Sequence, residues 1–172
     1  LRMVSMRRCL NAASMGLGKT LMAISSLLYL RETCGNSRKC DLIICPGYLR
    51  MNWKKELDKW CPGRLSVSLI GKAGKNDFDH AVNELKSSML CIVSYDMIAN
   101  ILKRCKGWAG VFNTIILDES HFVKEVKTKR YQQISILKNK NLSFFLQKKF
   151  EISHFYISIK NVIENSRGRG AY

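Results

Sequence analysis

The chain has 172 residues, 47% hydrophobic, and 29 Lys and Arg against 13 Asp and Glu give a formal net charge of +16. That length accommodates one substantial core and one domain, and the charge favours a polyanionic partner. Seven cysteines without close paired spacing exclude a fully paired secreted framework, and no signal peptide or long uncharged apolar span is evident, so an intracellular protein with no membrane partner is expected.

In chain order, a short buried strand is expected at residues 9–12, followed by Met15, Gly16, Leu17, Gly18, Lys19 and Thr20. Gly16 and Gly18 let the backbone curl so that its N–H groups converge on a polyanion. Lys19 adds a mobile positive charge for the β and γ phosphates, and Thr20 offers a hydroxyl to Mg2+. Such a loop needs a helix N-terminus behind it. The mostly apolar run at residues 20–31, with Leu21, Ile24, Leu27, Leu28 and Leu30, predicts that helix. Ala13 stands where the strict phosphate-loop pattern has glycine, so the assignment leans on carboxylates further along the chain.

Strands expected at residues 41–45, 65–70, 90–94 and 114–118 alternate with helices at 48–60, 78–86 and 96–104, separated by Gly, Pro and Asn breaks. The glycine-lysine cluster at 71–75 reads as a solvated loop. Trp53 and Trp60 share one face of their helix, where packing against the sheet is favoured over stacking on bases. The apolar run before Asp118 and Glu119 places two acids at the carboxyl end of a central strand, the edge where α/β sheets bind ligands. Asp118 would hold Mg2+, directly or through water, and Glu119 would orient and deprotonate an attacking water. For the pair alone the alternative is an acidic strand-to-loop junction without chemistry; Lys19 upstream weighs against it. His121 reads as a residue that senses nucleotide state across the cleft.

From about Cys9 to about Arg130 the chain resembles the first ATPase lobe of the Swi/Snf-related family of helicase-like ATPases, the superfamily-two DNA translocases. The resemblance is carried by Ala12 with Met15-Gly16-Leu17-Gly18-Lys19-Thr20, by Leu42-Ile43-Ile44-Cys45-Pro46-Gly47-Tyr48-Leu49 with Asn52, Trp53, Glu56, Leu57, Lys59 and Trp60, and by Ile92-Val93-Ser94-Tyr95-Asp96. Asp118-Glu119-Ser120-His121, with Ser120 where many relatives have alanine and Phe122-Val123-Lys124 after it, looks most like the annealing-helicase branch, whose members rewind DNA at stalled forks. The resemblance implies an α/β fold: a RecA-like P-loop NTPase lobe, a mostly parallel sheet with helices on both faces, incomplete as given. It implies ATP and Mg2+ as cofactors. Nucleotide would be bound by Met15, Gly16, Leu17, Gly18, Lys19 and Thr20, metal by Thr20 and Asp118, with Lys19, Asp118, Glu119 and His121 in catalysis. It also implies a nuclear location and double-stranded or forked DNA as partner along the basic surface, with Lys54, Lys55, Lys103, Arg104 and Lys106 as candidate contacts.

Two departures qualify this picture. Ala13 and Ser14 replace the family's acidic pair beside the phosphate loop, so nucleotide affinity or turnover is expected to differ. The strand and Gly-Thr-Pro coupling loop that follow the Asp-Glu motif in the family are not evident, nor is a second lobe with its arginine finger. Residues 1–137 are therefore expected to form a truncated ATP-binding lobe. Residues 138–172 are expected to be a basic, aromatic tail, read as a helix, as a strand pair completing the sheet, or, by preference, as sequence unrelated to the parent enzyme. The Arg-Gly repeat at 166–170 reads as a disordered terminus. The absent initiator methionine fits a fragment. The function expected is that of the N-terminal ATP-binding lobe of a DNA-dependent ATPase that moves on or anneals double-stranded DNA, weak or inactive alone. A non-catalytic nucleotide- or DNA-binding remnant is the alternative; a P-loop kinase or GTPase is disfavoured because no guanine-reading Asn-Lys-x-Asp segment is present.

Overall fold

The computed structural model describes residues 8–11, 17–33, 39–71, 77–104, 112–123, 127–135, 137 and 143–146. Its strands are β1 (Arg8–Asn11), β2 (Cys40–Cys45), β3 (Val67–Leu69), β4 (Leu90–Ser94), β5 (Phe112–Asp118) and β6 (Ser143–Leu146). Its helices are α1 (Lys19–Thr33), α2 (Arg50–Trp60), α3 (Asp77–Ser87), α4 (Tyr95–Arg104) and α5 (Lys129–Ser135), with 3-10 turns at Gly47–Leu49 and Ser120–Val123. The strands join one sheet in the order β1-β6-β5-β2-β4-β3, and every pairing is parallel.

Parallel pairing requires crossovers, and the helices supplying them cover both faces, so a central strand must be apolar throughout. All of β2 is buried accordingly. Its alternation sorts the core into two layers. Ile43 and Cys45 meet Ala23, Ile24 and Leu27 of α1 and Trp53 and Leu57 of α2. Leu42 and Ile44 face the opposite layer, with Leu85 of α3, Ile98 and Ile101 of α4, and Ile134 of α5. Helix starts are capped where the sequence offers hydroxyls: Ser94 Oγ accepts the Met97 N–H at 3.3 Å at the head of α4, and Thr128 Oγ1 accepts the Tyr131 N–H at 3.2 Å at the head of α5.

The expected elements appear within a few residues of their predicted bounds, with the strand at 65–70 reduced to Val67–Leu69. Two expectations are corrected. The strand thought absent after the Asp-Glu motif is present: β6 lies between β1 and β5, so residues 143–146 follow the reading of a strand completing the sheet. Four residues, Ser-Phe-Phe-Leu, are too few for periodicity to declare a strand, and only the slot between two parallel neighbours defines one. Trp60 is 45% exposed whereas Trp53 is 3% exposed. Trp60 sits in the last turn of α2, beyond the sheet's cover, where it donates to Glu56 Oε2 at 2.8 Å and lies under the Lys59 ammonium. Residues 72–76 of the glycine-lysine cluster, the Arg-Gly repeat, and Ala13 and Ser14 lie outside the described residues.

Candidate active site

The two halves of the candidate site lie toward the carboxyl edge of the sheet. Leu146 of β6 is in register with Asn11 of β1 on one side and with Asp118 of β5 on the other. β1, β6 and β5 therefore end level, with one strand, or roughly 10 Å in all, between the line of β1, which precedes Gly18 and α1, and the line that ends in the acids. Gly18 has φ +68°, a left-handed conformation that favours glycine, and a Cβ there would meet nothing within 4 Å. Its carbonyl accepts the Met22 N–H at 2.9 Å as the first turn of α1 closes. Lys19 and Thr20 are the first two residues of that helix, both half-buried, and its first turn carries no acid that would oppose an anion at the positive end of the dipole. Leu17 is exposed, and Met15 and Gly16 lie outside the described residues.

On β5, Asp118 is half-buried and its neighbour Glu119 is 4% exposed. Glu119 adopts φ 51°, the left-handed region uncommon for a residue with a side chain. This turns the chain sharply out of the strand, and the Glu119 carbonyl then accepts the Phe122 N–H at 3.0 Å to close the 3-10 turn. Asp118 is held from three sides. Its Oδ1 accepts the Glu119 N–H at 2.9 Å, its Oδ2 accepts the Trp53 indole N–H at 2.9 Å, and its carbonyl accepts the Tyr95 hydroxyl at 2.7 Å. His121 lies in the 3-10 turn immediately beyond.

Tyr95 is 3% exposed, and burial, followed by the Asp118 charge, pushes its hydroxyl well above the ordinary tyrosine range. It stays a neutral donor. Its ring stacks on Phe122 with centroids 6.0 Å apart, and the Arg130 guanidinium lies 5.8 Å over Phe122 while pairing with Asp96 at 2.6 Å. Cys45, at the end of β2, is pushed up to about 12 by burial and the neighbouring Asp118 charge, which makes it a packed thiol rather than a nucleophile. Trp53 and Tyr95 were not recognised as site residues from the sequence. The signal available for Trp53 was chemical: a buried indole N–H needs an acceptor, and the strand end nearest its helix carries a carboxylate.

The oxygen donors fit a hard divalent ion. Asp118 offers a carboxylate and Thr20 a hydroxyl, and no group of three or more His, Cys, Asp or Glu able to cage a metal occurs among the described residues. That donor set suits an ion that takes one or two protein oxygens and shares the rest with phosphates and water.

Residues 2–143 match the SNF2-related domain family. The chain belongs to that family. Among curated relatives, the SWI/SNF-related matrix-associated actin-dependent regulator of chromatin subfamily A-like protein 1 of Xenopus tropicalis is 32% identical over 127 residues, covering 72% of this chain and 12% of that protein. The DNA repair and recombination protein RAD54B of Gallus gallus is 39% identical over 126 residues, covering 69% of this chain and 13% of that protein. Among solved structures, the Sulfolobus solfataricus SWI2/SNF2 ATPase core in complex with dsDNA superposes with a TM-score of 0.71 at 25% identity, covering 90% of this chain and 30% of that one. The fold is thus that of the SNF2 ATPase core's RecA-like lobe, in a helicase-like family whose members include chromatin regulators and DNA repair proteins. Nucleotide and metal use are general properties of such an ATPase family. The chain spans about an eighth of the length of these two relatives.

Proposed function

We propose that this chain is the N-terminal ATP-binding lobe of a DNA-dependent ATPase that couples hydrolysis to movement on, or annealing of, double-stranded DNA in the nucleus. The observation that carries the reading is the level ending of β1, β6 and β5, which puts the head of α1 and the Asp118–Glu119 pair on one edge of the sheet. Backbone N–H groups of the loop through Gly18 would cradle the phosphates of ATP, and Lys19 would reach the β and γ oxygens. Thr20 and Asp118 would hold Mg2+, which when bound neutralises charge on the phosphate oxygens. Glu119, fixed by its left-handed backbone, would orient water for in-line attack and accept its proton. His121, on the 3-10 turn, would report nucleotide state to a facing lobe. The resemblance implies that such a lobe supplies an arginine, so the chain alone is expected to bind nucleotide weakly and turn it over slowly or not at all.

DNA would lie along the basic surface. Lys55 and Lys103 are exposed and available to phosphates; Lys54 is engaged with Asp58 at 2.5 Å, a surface pair that phosphate can displace; Lys106 and the Arg104 side chain lie outside the described residues. Ala13 and Ser14, in place of the family's acidic pair, favour a second reading in which the chain binds nucleotide or DNA without catalysis.

The test is ATP turnover and fluorescent-ATP binding by the purified chain, with and without forked DNA, beside Lys19→Ala and Glu119→Gln. Binding lost in Lys19→Ala and retained in Glu119→Gln supports the lobe assignment. DNA-stimulated turnover that Glu119→Gln abolishes makes the chain catalytic by itself, and binding indifferent to Lys19 sinks the nucleotide site.

A further inference from the structure

The indole of Trp53 and the carboxylate of Asp118 meet across 65 residues of sequence, with Nε1–H donating to Oδ2 at 2.9 Å. The ring is rigidly set, 3% exposed and packed with Leu57 of its own helix and Ile43, Ile92 and Ile116 of the sheet. A buried indole is satisfied by any backbone carbonyl, so spending its single donor on a carboxylate needs a reason. The opposite oxygen, Oδ1, is held at 2.9 Å by the Glu119 N–H. With one donor on each oxygen, rotation of the carboxylate is arrested and the remaining lone pairs keep one direction.

We propose that Trp53 is a positioning residue for Asp118, fixing through its indole N–H the carboxylate that takes the divalent cation of a bound nucleoside triphosphate. The inference rests on the reading of Asp118 given under Proposed function. Its physical basis is that a ligand oriented by an outer hydrogen bond has surrendered its rotational freedom on folding, so the ion does not have to restrain it on binding. Trp53→Phe keeps an aromatic ring in the core and removes the donor along with part of the buried indole, and the packing loss is read separately in the thermal midpoint.

The experiment measures equilibrium binding of a methylanthraniloyl ATP to the purified full chain across a Mg2+ series and in EDTA, for wild type, Trp53→Phe and Asp118→Asn. The Mg2+ midpoint of Trp53→Phe is expected to rise by about tenfold or more, with affinity in EDTA unchanged. A merely structural tryptophan would lower the thermal midpoint and leave the Mg2+ midpoint in place. If Asp118→Asn moves the midpoint and Trp53→Phe does not, the role of Trp53 is overturned while Asp118 keeps its own. If Asp118→Asn changes nothing, both readings fall. Should Trp53→Phe not fold, the wild-type indole N–H resonance of Trp53, assigned with Trp60→Phe and Trp108→Phe variants, gives the answer. It shifts when Mg2+ is added to nucleotide-saturated protein and stays still in Asp118→Asn; an unmoved wild-type resonance overturns the proposal.

Discussion

Arg31 on α1 and Asp41 on β2 form a buried ion pair, Nε to Oδ2 at 2.5 Å, with side chains 9% and 0% exposed. Asp41 Oδ1 also accepts the Thr114 N–H at 2.9 Å, and Arg31 donates to the Met89 carbonyl at 2.5 Å. The pair thus ties α1 to the starts of β2, β4 and β5, at the end of the sheet opposite the two acids. Burial alone raises the Asp41 pKa, and the guanidinium opposes that rise.

Removing one member of such a pair leaves the other charged and buried. Arg31→Met is therefore expected to cost about 3–5 kcal/mol, read as a fall in the urea midpoint. Because the pair lies at the far edge of the sheet from Gly18 and Asp118, nucleotide affinity per folded molecule stays unchanged; a parallel loss of affinity in folded protein would show that the two edges are coupled.

Ser120 is fully buried, and its Oγ has no hydrogen-bond partner among the described residues. An unsatisfied buried hydroxyl costs about 1–3 kcal/mol, so Ser120→Ala is expected to be neutral to stabilising, raising the thermal midpoint. A drop in that midpoint would mean that the hydroxyl is engaged in the folded protein.

Tyr95 supplies the pH dependence. Burial, then the Asp118 charge, raises its pKa well above 10.0. With the folded pKa above the unfolded one, its contribution to stability is complete below about pH 10 and is lost as pH rises toward the folded value. A titration followed at 295 nm should show one tyrosine that ionises only as circular dichroism is lost, and that step should vanish in Tyr95→Phe. Ionisation of every tyrosine near pH 10 with the fold intact would contradict it.

The two tryptophans of α2 are expected to part company. Trp53→Ala should destabilise by about 3–5 kcal/mol through the cavity it opens, whereas Trp60→Ala should cost no more than about 1 kcal/mol, the worth of an exposed cation–π contact and a surface hydrogen bond. Denaturant midpoints of the two variants decide it, and equal losses would place Trp60 in the core after all.

The candidate residues were legible as a pattern because the signals that mark them are local. A Gly-Lys-Thr at a helix head and two acids at the end of an apolar strand declare themselves wherever they lie, and the elements around them follow from the alternation of Leu42-Ile43-Ile44 and Ile115-Ile116-Leu117 with their intervening helices. Trp53 was legible as a core residue but not as a partner of Asp118, because no spacing along the chain encodes a contact across 65 residues. Trp60 misled for a related reason: helical spacing assigns a face but does not say where along the helix the sheet stops covering it.

By itself the sequence determined the alternating α/β pattern, the Gly18-Lys19-Thr20 stretch at the head of α1 and the acids at the end of β5, since each depends on neighbours within a few residues. Tertiary structure alone decided that Ser143–Leu146 becomes a strand and that it lies between β1 and β5. It alone decided that Asp118 is gripped by Trp53 and Tyr95. The reason is that strand order and side-chain partnership are set by which buried surfaces and hydrogen-bonding groups are left unfilled once the whole sheet assembles, and no local stretch of residues carries that information.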